Sequence, residues 1–317
     1  MKTIYFAGGC FWGTEHFFSG VDGVASATSG YAQGSAGFEG RPSYEQVYTD
    51  TTGFAETVKV LYNPERISLA TLADLFFSII DPLSLNRQGH DEGTRYRTGV
   101  YYEDAEDLPV LRAAFDRASA RAGRPVVVEL EPLRNFFEAE ERHQKYLDKN
   151  PDGYCHLPFK TFKYLRLYQD VKALLGDEPD PVARMAETAA LIFERMKFFW
   201  VGFYRVCGDE LVLGPFQGPS ACLRIGFGRG VCGTAWKEAR TVVVPDVEKF
   251  PGHIACSSLS RSEIVVPVFG SPATCKEPLQ GPQEAGQVSA VLDIDSTEPG
   301  TFDDTDALWL EKICKLV

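Results

Sequence analysis

Residues 8–15 read Gly-Gly-Cys-Phe-Trp-Gly-Thr-Glu. A short alternating apolar run, Lys2–Ala7, delivers the chain to the two glycines, and Cys10 falls at the first turn of the helix expected over Phe11–Phe18. N–H groups at a helix start lack partners inside the helix, and its dipole places positive charge there, so an anion is favoured. A thiolate is such an anion. The position therefore predicts a lowered pKa and a nucleophilic sulfur. The alternative is a small packing residue behind a tight turn, and position alone does not choose. Phe11 and Trp12 read either as an apolar wall beside that sulfur or as ordinary core. The second half holds six more of the eight cysteines, at 207, 222, 232, 256, 275 and 314. None forms a Cys-x-x-Cys pair and no histidine stands at metal-ligand spacing, so no metal is expected. His253, in a Gly-Pro-rich loop, reads as solvated.

The elements that must hold these residues fall into two patterns. In the first half, strands over Lys2–Ala7, Glu56–Tyr62, Arg97–Tyr102 and Val126–Leu130 interleave with helices over Phe11–Phe18, Ser68–Ile80, Glu106–Arg121 and Glu138–Lys149. This predicts an α+β chain whose first domain is an α/β sandwich on a mixed sheet. The second half reads as a helix over Val182–Met196, then strands over Phe199–Val206, Glu210–Leu213, Thr241–Val244, Glu263–Phe269 and Gln287–Ile294, then a helix from Asp303. A central antiparallel sheet with helices on one side fits it. Gly270–Gly286 reads as a long exposed loop. Leu174–Pro181, with a Gly, two Pro and three acids, reads as the linker. The domains are set at 1–162 and 163–317.

Length and composition agree with two globular domains. The chain has 317 residues, 44% hydrophobic and 24% charged, with a net charge of −12. Each half carries −6, with 17 basic against 23 acidic residues in 1–165 and 15 against 21 in 166–317. Without a basic module, nucleic-acid binding is not expected. No apolar run approaches the roughly 20 residues of a membrane span. The apolar run after Lys2 is too short for a secretory leader, so a reducing cytoplasm is the expected compartment.

The first half resembles peptide methionine sulfoxide reductase A. The resemblance rests on Gly-Cys-Phe-Trp at 9–12, Pro-Ser-Tyr at 42–44, Gly-Phe-Ala-Glu at 53–56, Gly-His-Asp-Glu-Gly-Thr-Arg-Tyr-Arg at 89–97 and Lys-Asn-Pro-Asp-Gly-Tyr-Cys at 149–155, in that order. It implies that family's ferredoxin-like fold and its thiol chemistry. Cys10 would attack the sulfur of methionine sulfoxide. The departing oxygen needs a proton, which Glu56 would supply, since a carboxyl against apolar walls has a raised pKa. Tyr44 and Tyr96 would hydrogen-bond the oxygen, Asp91 would order the polar network, and Phe11 and Trp12 would hold the substrate methyl. Cys155 would condense with the resulting sulfenic acid, and thioredoxin or a similar dithiol would restore both thiols. Phe54 and His90 depart from the family's usual His and Asn.

The second half resembles the GAF-domain free methionine-(R)-sulfoxide reductases. Here the carriers are Phe-Trp-Val-Gly-Phe-Tyr at 199–204, with Phe199 for the usual Asn, the segment at 214–236 with Cys222 and Cys232, the segment at 245–267 with Cys256, and Val-Leu-Asp-Ile-Asp-Ser at 291–296. The resemblance implies attack by Cys256 and resolution by Cys222, with Cys232 a second resolving thiol. The order of the last two is open. Glu263, Asp293 and Asp295 would hold the substrate's ammonium or protonate the oxygen. Trp200 and Tyr204 would wall the site. Cys207, Cys275 and Cys314 are taken as bystanders. Together the halves predict a fusion that reduces both sulfoxide epimers, the S form free or within proteins and the R form as the free amino acid, without a cofactor. The competing expectation is a single reductase with a GAF domain that serves as ligand-binding regulator or redox relay.

Overall fold

The computed structural model describes residues 1–253, 257–270 and 287–317. Contacts divide the chain into two compact units, Met1–Phe162 and Lys163–Val317. Among the described residues no helix is long and apolar enough to cross a membrane.

The first unit is built on β1 (Lys2–Gly8), whose every residue from Ile4 on is buried, so both of its faces are covered. Helix α1 (Phe11–Ser19) follows at once, then β2 (Val24–Ala32), α2 (Tyr44–Tyr48), β3 (Ala55–Tyr62) and α3 (Leu69–Phe76). A small ladder, β4 (Arg87–Gln88) with β5 (Asp91–Glu92), precedes β6 (Thr98–Tyr102), α4 (Leu108–Ala122), β7 (Glu129–Pro132), β8 (Phe136–Glu138) and α5 (Tyr146–Lys149). The sheet order is β7-β6-β1-β3-β2-β8. Only β6 and β7 run parallel, so the sheet is mixed. Phe6 stacks on Phe18 of α1 at 4.7 Å and on Phe76 of α3 at 4.9 Å, which seats both helices on one face. Tyr5, Ala7, Ala32, Ala55 and Tyr101 form the core of the other.

Three local departures from the sequence reading have physical causes. Residues 24–32 are a strand although Val-Ala-Ser-Ala-Thr-Ser-Gly-Tyr-Ala shows no apolar alternation; pairing with β3 and β8 imposes it. The five-residue α2 was also unforeseen, and it rests on a Ser43–Gln46 capping box. The helix expected over 138–149 shrinks to Tyr146–Lys149. Its would-be first turns are spent on tertiary bonds: the Gln144 amide donates to Ser29 O and Ala139 O, and Glu140 accepts from Tyr31 and Tyr44. Lys145, at φ +50°, then turns the chain into α5.

Helix α6 (Phe159–Leu175) leads into the second unit. There α7 (Pro181–Met196) starts with Asp180 accepting from the N–H groups of Val182 and Ala183. The six strands β9 (Trp200–Cys207), β10 (Glu210–Gln217), β11 (Arg224–Gly226), β12 (Val242–Val244), β13 (Ser262–Phe269) and β14 (Val288–Ser296) form one antiparallel sheet in the order β11-β10-β9-β14-β13-β12. Helix α8 (Gly230–Glu238) packs with Tyr204, Val265 and Val291 on one face. The other face, including Val201, Phe203, Ile264 and Leu292, is buried too, while α7 and α9 (Asp304–Cys314) pack on the same strands and stand outside the α8 core. Helices therefore cover both faces, not one. The reason is in the strands: β13 and β14 are apolar at successive positions, as strands buried on both sides must be. The long loop expected over 270–286 lies almost wholly outside the described residues.

Asp303 and Asp306 cap α9 reciprocally, and Asp306 also accepts from the buried Tyr164 hydroxyl of α6 at 2.8 Å. Removing that hydroxyl leaves a buried carboxylate one donor short, at a cost of about 1–3 kcal/mol. Tyr164→Phe is expected to lower the unfolding midpoint of the full chain by several degrees, read by thermal denaturation. An unchanged midpoint would mean that the bond contributes nothing.

Candidate active sites

Strand β1 ends at Gly8-Gly9, and Cys10 is the N-cap residue of α1 with φ −56° and ψ 123°. The first N–H of the helix, from Phe11, does not face solvent: it donates to Glu56 Oε2 at 3.0 Å. Glu56 lies on β3 opposite Tyr31, and both are buried. Burial holds the Glu56 carboxyl up to about 8, with Asp91 adding to the rise and the Phe11 N–H and the Arg95 charge opposing it. Below that pH it is a carboxylic acid, a proton donor in water-poor surroundings.

The thiol differs from expectation. Cys10 is buried, and burial followed by the neighbouring Glu56 pushes its pKa well up, with only the Trp12 backbone N–H favouring the thiolate. The helix start is there, but loss of water outweighs it. Cys10 is a free thiol, as is Cys155.

The remaining residues that the first half suggested surround this pair. Tyr44 opens α2, with its N–H on Glu140 at 2.9 Å; burial and the charges of Glu56 and Cys10 push its hydroxyl up to about 12. Tyr96 is raised by burial and by Glu56. Both phenols therefore stay protonated and can donate. Arg95 lies over the Tyr48 and Tyr96 rings, 4.2 and 4.4 Å from their centroids, and is tied to Asp50. Asp91 accepts from the Tyr154 hydroxyl at 2.9 Å. Trp12 lines an open trough with Tyr44, Tyr48, His143 and Tyr146, and stacks on Tyr146 at 3.8 Å. Phe11 is buried against Tyr31 and His143, so it backs the site from the core.

His143 was not anticipated. It is buried, kept neutral by burial, accepts from the Trp12 indole N–H at 3.2 Å and packs on Tyr44 at 4.7 Å. Its only sequence signal was a dense polar-aromatic stretch, 140–146, ahead of the Asn-Pro-Asp-Gly turn.

In the second unit the sheet register gathers the site. Glu263 pairs with Asp295 across β13 and β14, and Asp293 and Asp295 sit opposite Gly202 and Trp200 of β9. With a side-chain period of two, these residues and Tyr204 share one face. Gly202 has no room for a Cβ, which would stand 2.4 Å from the Trp200 ring; the indole lies across it and donates to Pro219 O at 3.0 Å. The Tyr204 hydroxyl donates to Cys222 O at 3.1 Å. Cys232, on the first turn of α8, is a buried free thiol that donates to Asp293. Burial and mutual repulsion raise Glu263 and Asp293 well above the carboxylate range, and burial lifts Asp295 to about 6. Three carboxyls so close cannot all stay ionised near neutrality. His253 is not solvated as expected: its Nε2 lies 3.6 Å from Glu263 Oε2, and it lines the same pocket. Cys222 is disulfide-bonded, and so is Cys207, which the sequence reading had set aside as a bystander. Cys256 and Cys275 lie outside the described residues.

Comparison with known proteins decides the family. A family model described as peptide methionine sulfoxide reductase matches residues 2–173, more than half of the chain. The chain belongs to the peptide methionine sulfoxide reductase family. A model described as GAF domain matches residues 180–317. The peptide methionine sulfoxide reductase MsrA of Clostridium acetobutylicum is 50% identical over 163 residues, 51% of this chain and 99% of that relative. MsrA of Lachnoclostridium phytofermentans is 46% identical, over 49% of this chain and 92% of that relative. Among solved structures, the free methionine-R-sulfoxide reductase of Neisseria meningitidis in complex with its substrate is 50% identical, with a TM-score of 0.43, covering 48% of this chain and 84% of that one. The chain is thus a fusion of a reductase domain and a GAF domain.

The Glu56 carboxyl rises from an ordinary 4.5 to about 8 on folding. The folded state binds the extra proton between those values, so this group lowers stability as pH rises through that window. Glu56→Gln is expected to be more favourable for stability, relative to the parent, at pH 9 than at pH 5, and to shift alkylation of Cys10 to lower pH. Melting points at both pH values and the pH dependence of alkylation check this; equal melting-point differences would show that Glu56 does not titrate in that range.

Proposed function

We propose that the chain reduces both epimers of methionine sulfoxide with thiols alone. The N-terminal unit acts on the S epimer, free or within proteins, and the C-terminal unit on the R epimer of the free amino acid. The observation that carries the reading is the Glu56 carboxyl, protonated up to about pH 8 and fixed on the Phe11 N–H next to a free Cys10. A nucleophilic sulfur and a positioned acid are what oxygen transfer from a sulfoxide requires.

In the N-terminal unit Cys10 attacks the sulfoxide sulfur while Glu56, helped by the Tyr44 and Tyr96 hydroxyls, protonates the oxygen. The S–O bond breaks, the oxygen passes to Cys10 as a sulfenic acid, and methionine leaves. Asp91 orders the network, and the Trp12 trough with Phe11 behind it receives the methyl. Cys155 then attacks the sulfenic acid, forming a disulfide and releasing water. A dithiol such as thioredoxin, in a reducing cytoplasm, returns both thiols.

In the C-terminal unit Cys256 attacks, and Cys222 and Cys232 resolve. A free amino acid brings an ammonium group, and the cluster of Glu263, Asp293 and Asp295 suits it. Whichever of these acids is protonated supplies the oxygen's proton. Trp200 and Tyr204 form the apolar wall. One reductase per sulfoxide epimer is the rule for this chemistry, because a fixed acid reaches the oxygen of one hand only.

With pure epimers and a chemical dithiol, the full-length chain carrying Cys10→Ser is expected to lose S-epimer reduction and keep R-epimer reduction. Cys256→Ser should do the converse. Glu56→Gln should slow S-epimer turnover by about 10²–10⁴, the size of a general-acid contribution. R-epimer reduction that survives Cys256→Ser would remove the C-terminal unit from the chemistry.

A further inference from the structure

Ligand atoms of three different kinds converge at Cys10. Its sulfur, a carboxylate oxygen of Asp91 and a ring nitrogen of His156 all lie within 4.8 Å of one another. Asp91 commits one oxygen to Tyr154, and its Oδ2 is buried with no hydrogen-bond partner. Both ring nitrogens of His156 are shut off from solvent, and the one contact recorded for the ring is to the Gly8 backbone. An orphaned buried polar atom is costly, and native interiors resolve most such atoms with a protein group, a water or an ion. Asp91 Oδ2 and a His156 ring nitrogen beside one thiol call for a shared occupant. A second sulfur is near: Cys155 Sγ and His156 Nδ1 lie 2.9 and 3.2 Å from where Gly13 would carry a Cβ.

We propose that the reduced N-terminal unit binds a thiophilic divalent cation, typified by Zn²⁺, through Cys10, Asp91 and His156. Thiolate, imidazole and carboxylate are the donors that zinc takes in tetrahedral sites. Binding breaks the Cys10 S–H bond, forms one Zn–S bond and releases one proton to solvent, with no change in oxidation state. The disulfide form of the pair offers no thiolate, so the site exists only in the reduced protein. Occupancy withholds Cys10, which makes the cation a reversible inhibitor of S-epimer reduction. This inhibitory consequence rests on the reading of Cys10 as nucleophile; the binding itself does not.

Cobalt serves as the probe, because thiolate ligation gives a charge-transfer band in the near ultraviolet and Zn²⁺ competition then reports affinity. Cys232, Glu263 and Asp293 also lie within 4.8 Å of one another, so the titration is made on the full chain carrying Cys232→Ser. The reduced protein is expected to show the band, and the protein oxidised to the disulfide to lack it. His156→Asn and Asp91→Asn should each weaken binding by more than the ~10–100-fold that loss of an outer-shell partner costs, with circular dichroism unchanged. Zn²⁺ should inhibit S-epimer reduction, and a chelator should restore it. Absence of the band in reduced Cys232→Ser protein, or a band that both His156→Asn and Asp91→Asn leave undiminished, overturns the proposal. Failure of the catalytic reading would look different: no S-epimer turnover in the metal-free chain, with the cobalt band intact.

Discussion

The first unit depends on a carboxyl taken out of water beside a thiol. Glu56 is buried, and the compensation it receives is a single backbone N–H, the first of α1, together with the charge of Arg95. That bond ties β3 to the start of α1 and so fixes Cys10 relative to its acid. Its strength depends on the surrounding dryness, since a hydrogen bond to a charged or polarised acceptor gains in a low dielectric. The same dryness raises both pKa values. The thiol is consequently not a free-standing nucleophile. In the proposed reaction its activation comes with the substrate, whose oxygen accepts the proton that Glu56 carries.

The second unit reaches a comparable chemistry by other means. A sheet register, not a helix start, assembles Glu263, Asp293 and Asp295, and Gly202 leaves the gap that lets Trp200 lie over the strands. Here the acids are several and share their protons, whereas in the first unit one acid holds its own. A cluster of that kind tolerates a charged substrate better than a single dry carboxyl does, because a cation draws protons off the group it pairs with.

Much of this was legible in the residues. The strand–Gly-Gly–Cys–helix order around Cys10, the alternating Glu56–Tyr62 run and the Ser68 cap all announce themselves locally, and the structure has β1, α1, β3 and α3 there. What was not legible was non-local. Strand β2 is too small and polar to declare itself, and 138–145 has helical spacing but gives its side chains to other segments. The Cys10 pKa was misjudged for the same reason: the helix start is visible in sequence, whereas the groups that enclose it come from β3, Asp91 and the Cys155–His156 segment. His143 and His156 drew no reading in the sequence and His253 read as solvated, and each acquires its neighbours only from the fold.

Gly13 is the third residue of α1, where glycine favours the helix less than alanine would. A Cβ there would meet the sulfur of Cys155 at 2.9 Å, so the room for the second thiol is gained by weakening the element that presents the first. A nine-residue helix with such a gap would not persist in isolation. It is held by Phe17 and Phe18 in the core. The reactivity of Cys10 is therefore a property of the assembled domain rather than of the Gly-Cys-Phe-Trp tetrapeptide, and modification of that cysteine would serve as a gauge of how much of the population is natively folded.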